Sequence, residues 1–249
     1  MIEQCHWPDL EDRYQKALRH AVSSIFARFD VRAILATGTI LRGVADPRSD
    51  LDIHVIQRAP FRTRIQEFHE AIPCEIFVNP LNRIQAYFDE DKADRRPISQ
   101  HMYATGFVVF DPEQILPPLI EKAKQDLTEL PAANASPIGA YGAATAFEDV
   151  CDLAEHDEQA AALILGGVVT QLLDCYFRRQ PMFVPRLKDT LAALKATDPN
   201  LAALAVTATT DPLFPNRLEA THQLCLAITG HEGFFEWSSA PEPCGGPDE

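Results

Sequence analysis

The sequence predicts an α+β N-terminal half, a small mixed sheet with flanking helices, followed by an all-α helical bundle. Three observations predict it. The strand pattern of the first half does not persist beyond Asp111-Pro112. Beyond that point apolar residues recur at helical spacing. Between the halves, Pro131-Ala132-Ala133-Asn134-Ala135-Ser136-Pro137 is a proline-bounded run of small residues with the composition of a linker. The domains are therefore expected at 1–130 and 131–240, with 241–249 a flexible tail rich in proline, glycine and acid.

Each element follows from its pattern. Leu10, Tyr14, Ala17, Leu18, Ala21, Ile25, Phe26 and Phe29 share one helical face, so 9–29 is read as a helix. Val31 to Thr37 reads as a buried strand and Leu51 to Gln57 as a second, with a small-residue turn and a short helix between them. Arg62 to Ala71 reads as a helix. Pro73 introduces a third strand, Cys74 to Asn79. Helices are expected over 81–91 and 98–105, the second ended by Gly106, and a fourth strand over 107–110. A helix over 113–130 completes the first half. The second half reads as helices over 138–155, 157–179, 185–196, 199–208 and 215–229.

The chemistry concentrates between Gly38 and Ile56. Side chains alternate along a strand, so Asp50 and Asp52 point to one face. Two carboxylates held together repel, a costly arrangement unless a cation joins them. Magnesium takes oxygen ligands, one or two carboxylates plus substrate phosphates. The Gly38-Thr39 turn offers close backbone approach, N–H groups and a hydroxyl where a phosphate would sit. Arg42 stands one turn on and can pair with a phosphate, and Ser49 precedes the acidic pair. Glu75 lies within the apolar strand Cys74-Glu75-Ile76-Phe77-Val78, where a carboxylate is expensive unless it faces a functional cleft. His54 shares the face of Asp50 and Asp52 and reads as a pocket residue or a hydrogen-bonded structural histidine.

A small-residue turn, a short spacer and Asp-x-Asp between apolar residues resemble the signature of nucleotidyltransferases of the DNA polymerase beta superfamily. Here the turn is Gly38-Thr39, with Thr39 where the family carries Ser or Gly, and the pair is Asp50-Leu51-Asp52-Ile53. Arg42-Gly43 and Ser49 look like the small bacterial members, including the aminoglycoside adenylyltransferases. The specific resemblance covers residues 31–80. It implies a magnesium-dependent enzyme that moves a nucleoside monophosphate, AMP from an ATP donor, to an acceptor hydroxyl and releases pyrophosphate. Asp50, Asp52 and Glu75 would be its catalytic and metal-binding residues, with Glu75 a third ligand or the general base. Gly38, Thr39, Arg42 and Ser49 would bind the nucleotide. The rival readings are a protein-modifying adenylyltransferase of antitoxin type and a non-catalytic nucleotide-binding protein.

Composition narrows the partners. The 249 residues carry a formal net charge of −14, which opposes binding to long nucleic acids. An acidic chain suits a small, cationic acceptor such as an aminoglycoside. Glu148, Asp152 and Glu155 fall on one helical face and are candidate acceptor contacts. Arg217 and His222 have the Arg-x4-His spacing of HEPN ribonucleases, with Leu218 where those enzymes carry a polar residue. The six cysteines are scattered without a C-x-x-C pair and read as reduced thiols. No apolar run of membrane-span length and no leader is expected, so the chain is expected to be cytoplasmic and away from membranes.

Overall fold

A computed structural model describes residues 1–133, 137–239 and 241. The chain divides into two compact units, Met1–Leu130 and Pro131–Glu249. Residues 134–136 of the expected linker and 242–249 of the expected tail lie outside the described residues.

In the first unit, α1 (Asp12–Arg28) leads into β1 (Val31–Thr37), β2 (Leu51–Gln57), β3 (Thr63–His69) and β4 (Ile72–Pro80). Then come α2 (Leu81–Ala93), α3 (Ile98–Thr105), β5 (Phe107–Phe110) and α4 (Leu116–Thr128). The strands form one mixed sheet in the order β3-β4-β2-β1-β5. β2 and β4 run parallel, and the other pairs are antiparallel.

Alternation gives the sheet two faces. On one, Leu18, Val22 and Ile25 of α1 cover Ile34 of β1, Leu51, Ile53 and Val55 of β2, and Ile76 and Val78 of β4. Each fully buried side chain of this kind contributes about 1.5–3 kcal/mol. On the other face, Leu35 and Ile56 meet Ile84 and Phe88 of α2, Tyr103 of α3 and Leu116 of α4. The carboxylate of Asp111 caps α4, accepting from the backbone N–H groups of Ile115 (2.9 Å) and Leu116 (2.8 Å).

The second unit is helical: α5 (Pro137–Ala154), α6 (Glu158–Arg178), α7 (Thr190–Thr197), α8 (Pro199–Thr210) and α9 (Phe214–Thr229). Phe147, Leu165, Leu172, Phe177 and Leu224 sit in its core. Asp157 caps α6 through Ala160 N–H and Asp198 caps α8 through Asn200 and Leu201 N–H. Gly230, at φ 81°, ends α9 in the left-handed conformation.

Three expectations are corrected. The segment 62–71 is not a helix: Thr63–His69 form a strand, β3, and Glu70-Ala71 a turn. Phe61, Ile65 and Phe68 match a helical period, yet Phe61 and Phe68 are exposed in the structure, and pairing with β4 decides the conformation. The expected helix between Gly38 and the acidic pair is a series of turns, with glycines at φ 98° (Gly38) and 71° (Gly43). Lastly, α6 is by length and composition apolar enough to cross a membrane, although no such run was expected; 44% of its apolar window is buried within the fold, a pattern also met in core helices.

The β3–β4 turn is Glu70-Ala71, a two-residue connection between the paired His69 and Ile72. Both residues have positive φ, 50° and 62°. Such hairpin turns favour Asn-Gly, because other residues pay a steric cost in this region. The double substitution Glu70→Asn, Ala71→Gly should stabilise the chain by about 1 kcal/mol, read as a higher urea midpoint with unchanged m-value.

Candidate active site

Sheet register builds the site. Thr37 of β1 lies opposite Asp52 of β2, Asp52 opposite Glu75 of β4, and Glu75 opposite Gln66 of β3. Four neighbouring strands thus contribute one row of polar side chains. Adjacent strands are about 4.8 Å apart, so Asp52 and Glu75 are forced together. Asp50, just before β2, joins them: one carboxylate oxygen from each of Asp50, Asp52 and Glu75 lies within 4.8 Å of the others. All three are partly buried.

The electrostatic cost falls on Asp52. Burial, then the charges of Asp50 and Glu75, push its carboxyl up to about 6, while the Arg42 and Arg64 guanidinium groups oppose the shift. Glu75 is anchored on its other side by an ion pair with Arg64 and by the Gln66 amide, which donates at 3.2 Å. Thr37 is 1% exposed, and its hydroxyl has no hydrogen-bond partner. Three convergent hard oxygen donors, a raised carboxyl and an unpartnered buried hydroxyl on the same face fit a divalent cation such as magnesium.

The turn beside the triad leaves no room for a side chain. A Cβ at Gly38 would stand 2.6 Å from Asp52 Oδ2. Ile40, 3% exposed, roots the loop in the core. The Thr39 hydroxyl donates to Ser49 Oγ at 2.9 Å, and Ser49 Oγ accepts from Asp46 N–H at 2.8 Å. Thr39 and Ser49, separate in sequence, therefore close one loop. Arg42 is exposed on it, near enough for its charge to bear on Asp52.

His54 lies two residues beyond Asp52 and is 7% exposed. Burial lowers its pKa to about 4, so the ring is neutral near pH 7. It stacks on Phe77 at 4.7 Å between centroids, and its Nε2 is 3.3 Å from Met102 Sδ. With Phe77 and Arg64 it lines a cavity of about 510 Å³ on the sheet face that carries the triad.

In the helical unit, Glu148 accepts from the Phe234 N–H at 3.0 Å and so ties down the chain after α9. Asp152 is exposed, as is Glu155, which follows the end of α5. Arg217 Nε donates to the Ala208 carbonyl at 3.2 Å. His222 stacks on Phe147 and lies 3.3 Å from a Glu232 carboxylate oxygen. Cys5, Cys74, Cys151, Cys175 and Cys225 are free thiols; Cys244 lies outside the described residues.

Arg64, Gln66 and Thr37 were not singled out from sequence. The first two were hidden by the helical reading of 62–71; the alternating exposure of β3 is the signal that puts Arg64 and Gln66 on one face.

No family model and no curated protein matches the chain. It is similar to the solved structure of a nucleotidyltransferase-like protein from Exiguobacterium sibiricum 255-15, with 14% identity and a TM-score of 0.51, over 85% of this chain and 74% of that one. At this identity the likeness shows a nucleotidyltransferase-like fold.

The raised carboxyl of Asp52 has a pH signature. The folded chain holds this proton more tightly than the unfolded chain, so the contribution of Asp52 to stability falls as pH rises from 3.8 to about 6. In magnesium-free buffer, Asp52→Asn should flatten that fall and raise Tm at pH 7 by about 2–4 °C. Magnesium chloride should raise the Tm of the parent chain and not that of the variant.

Proposed function

We propose that the chain is a magnesium-dependent nucleotidyltransferase that moves AMP from ATP to the hydroxyl of a small acceptor and releases pyrophosphate. The observation that carries this reading is the convergence of Asp50, Asp52 and Glu75 within 4.8 Å of one another, with Asp52 against the Gly38 turn. The nucleotidyltransferase-like fold supports it.

In this reading Asp50 and Asp52 would hold magnesium, with Glu75 beside them, and the ion would neutralise charge on the reacting phosphate when bound. The open backbone of Gly38 and the hydroxyls of Thr39 and Ser49 take the β- and γ-phosphates. Arg42 pairs with a phosphate oxygen. The acceptor oxygen forms a bond to the α-phosphorus as the bond to the pyrophosphate oxygen breaks. We assign the hydroxyl proton to Glu75, which Arg64 and Gln66 hold in one orientation. Positioning supplies much of the rate gain, because the row across the sheet fixes these groups before substrate arrives.

Incubation with α-labelled ATP, magnesium and a panel of acceptors tests the reading by label transfer. Asp52→Asn should lower pyrophosphate release at least about a hundredfold while the circular dichroism spectrum is kept. Full activity in that variant would refute the assignment. Glu75→Gln should lose turnover yet keep magnesium-dependent ATP binding; loss of that binding would make Glu75 a ligand instead of the proton acceptor.

A further inference from the structure

The cavity beside the triad has chemistry of its own. At about 510 Å³ it is of the size that takes a small organic ligand. Phe77 of β4, Tyr87 of α2, and Met102 and Tyr103 of α3 give it aromatic and apolar walls. Tyr103 is 1% exposed, and its hydroxyl has no hydrogen-bond partner. A buried phenol left in that state costs free energy that a ligand acceptor atom would recover.

The charged groups lining the cavity are Arg62, Arg64 and Asp91. Arg64 is committed to Glu75, and its guanidinium lies 5.1 Å from the Phe77 ring centroid. Asp91 accepts from the Ser99 backbone N–H at 2.6 Å, at the start of α3. Arg62 donates to the Tyr87 hydroxyl at 2.7 Å, and among the described residues no carboxylate is paired with it. The rim therefore presents a cation that no carboxylate pairs with directly.

Position gives this cavity its role. The sheet order is β3-β4-β2-β1, and the triad lies on β2 and β4. The Gly38-Thr39 turn follows β1 on one side of the triad, whereas Arg62, Thr63 and Arg64 bring the cavity to the β3 side. In-line displacement puts the attacking and leaving oxygens on opposite sides of the phosphorus. With pyrophosphate leaving toward the turn, the attacking hydroxyl arrives from the cavity.

We propose that this cavity binds the acceptor, and that the acceptor is a small molecule with a flat ring and an anionic group. Its ring meets Tyr87 and the edge of Phe77, whose faces His54 and Arg64 occupy, its anion meets Arg62, and a polar ring substituent takes the hydrogen bond of the Tyr103 hydroxyl. This rests on the transfer reading above, and it replaces the cationic acceptor suggested by the charge of the whole chain. Net charge describes the average surface; Arg62 is the cation that a ligand meets at this rim.

Calorimetric titration of the full chain with three matched probes tests it: 6-(hydroxymethyl)-2-naphthoate, its carboxamide, and the corresponding aminomethyl compound. The carboxylate should bind about tenfold more tightly than the carboxamide, with the amine weakest. Arg62→Ala should remove the preference for the carboxylate while leaving the affinity for ATP and magnesium unchanged. Tyr103→Phe should weaken carboxylate and carboxamide alike, by about threefold. Carboxylate binding should persist at saturating ATP and magnesium. Binding of none of the probes, an amine that equals the carboxylate, or a preference that survives Arg62→Ala would overturn the proposal. Exclusion of the carboxylate by ATP would overturn it too, by giving the cavity to the donor. Failure of ATP and magnesium to bind, with the probe preference intact, would instead refute the transfer reading and the acceptor role, while the cavity's choice of an anion would stand on its own titration.

Discussion

The structure turns on one electrostatic constraint, the crowding of three carboxylates on adjacent parallel strands. Asp52 and Glu75 are register partners, and Asp50 sits at the mouth of the same strand. Nothing in the backbone lets them separate, because a one-residue slip would expose the apolar set Leu51, Ile53 and Val55 now buried under α1. The hydrophobic face thus enforces what the polar face would relax. Arg64 and Gln66 hold Glu75 from one side, and Gly38 lies against Asp52 on the other.

The sheet divides its labour between faces. Under α1 it is apolar across β1, β2 and β4, and this supplies the stability against which the acidic row is held. The opposite face is covered by α2, α3 and α4 only over part of its area. Where that cover stops, the strands turn polar, and the triad and the neighbouring cavity occupy the remaining surface. His54 and Tyr103 mark the boundary, both buried and both in the cavity wall. Burial keeps both uncharged near neutral pH, so the formal charges at the cavity are those of the arginines and the acids.

Legibility in the sequence followed the strength of local pattern. β1, β2, β4 and β5 are legible as short apolar runs, and the alternation in β2 by itself puts Asp50 and Asp52 on one face. Glu75 stood out because a carboxylate inside Cys74-Glu75-Ile76-Phe77-Val78 has no apolar reason to be there. The β3–β4 hairpin was illegible for the converse reason. Its turn is Glu70-Ala71, two residues with good helix propensity held at positive φ, and its strand carries a helical apolar period. Arg64, the residue that joins the triad to the cavity, was lost with it.

From sequence alone came the α+β-then-helical order, the acidic pair, the third carboxylate and the small-residue turn, all of which depend on spacing along the chain. Tertiary structure decided the rest: that β3 pairs with β4, that Thr39 bonds Ser49, that Thr37 and Gln66 extend the acidic row, and that a cavity opens beside it. These depend on strand register and on the order of strands in the sheet. Both are set by non-local packing, for which a linear pattern carries no local signal.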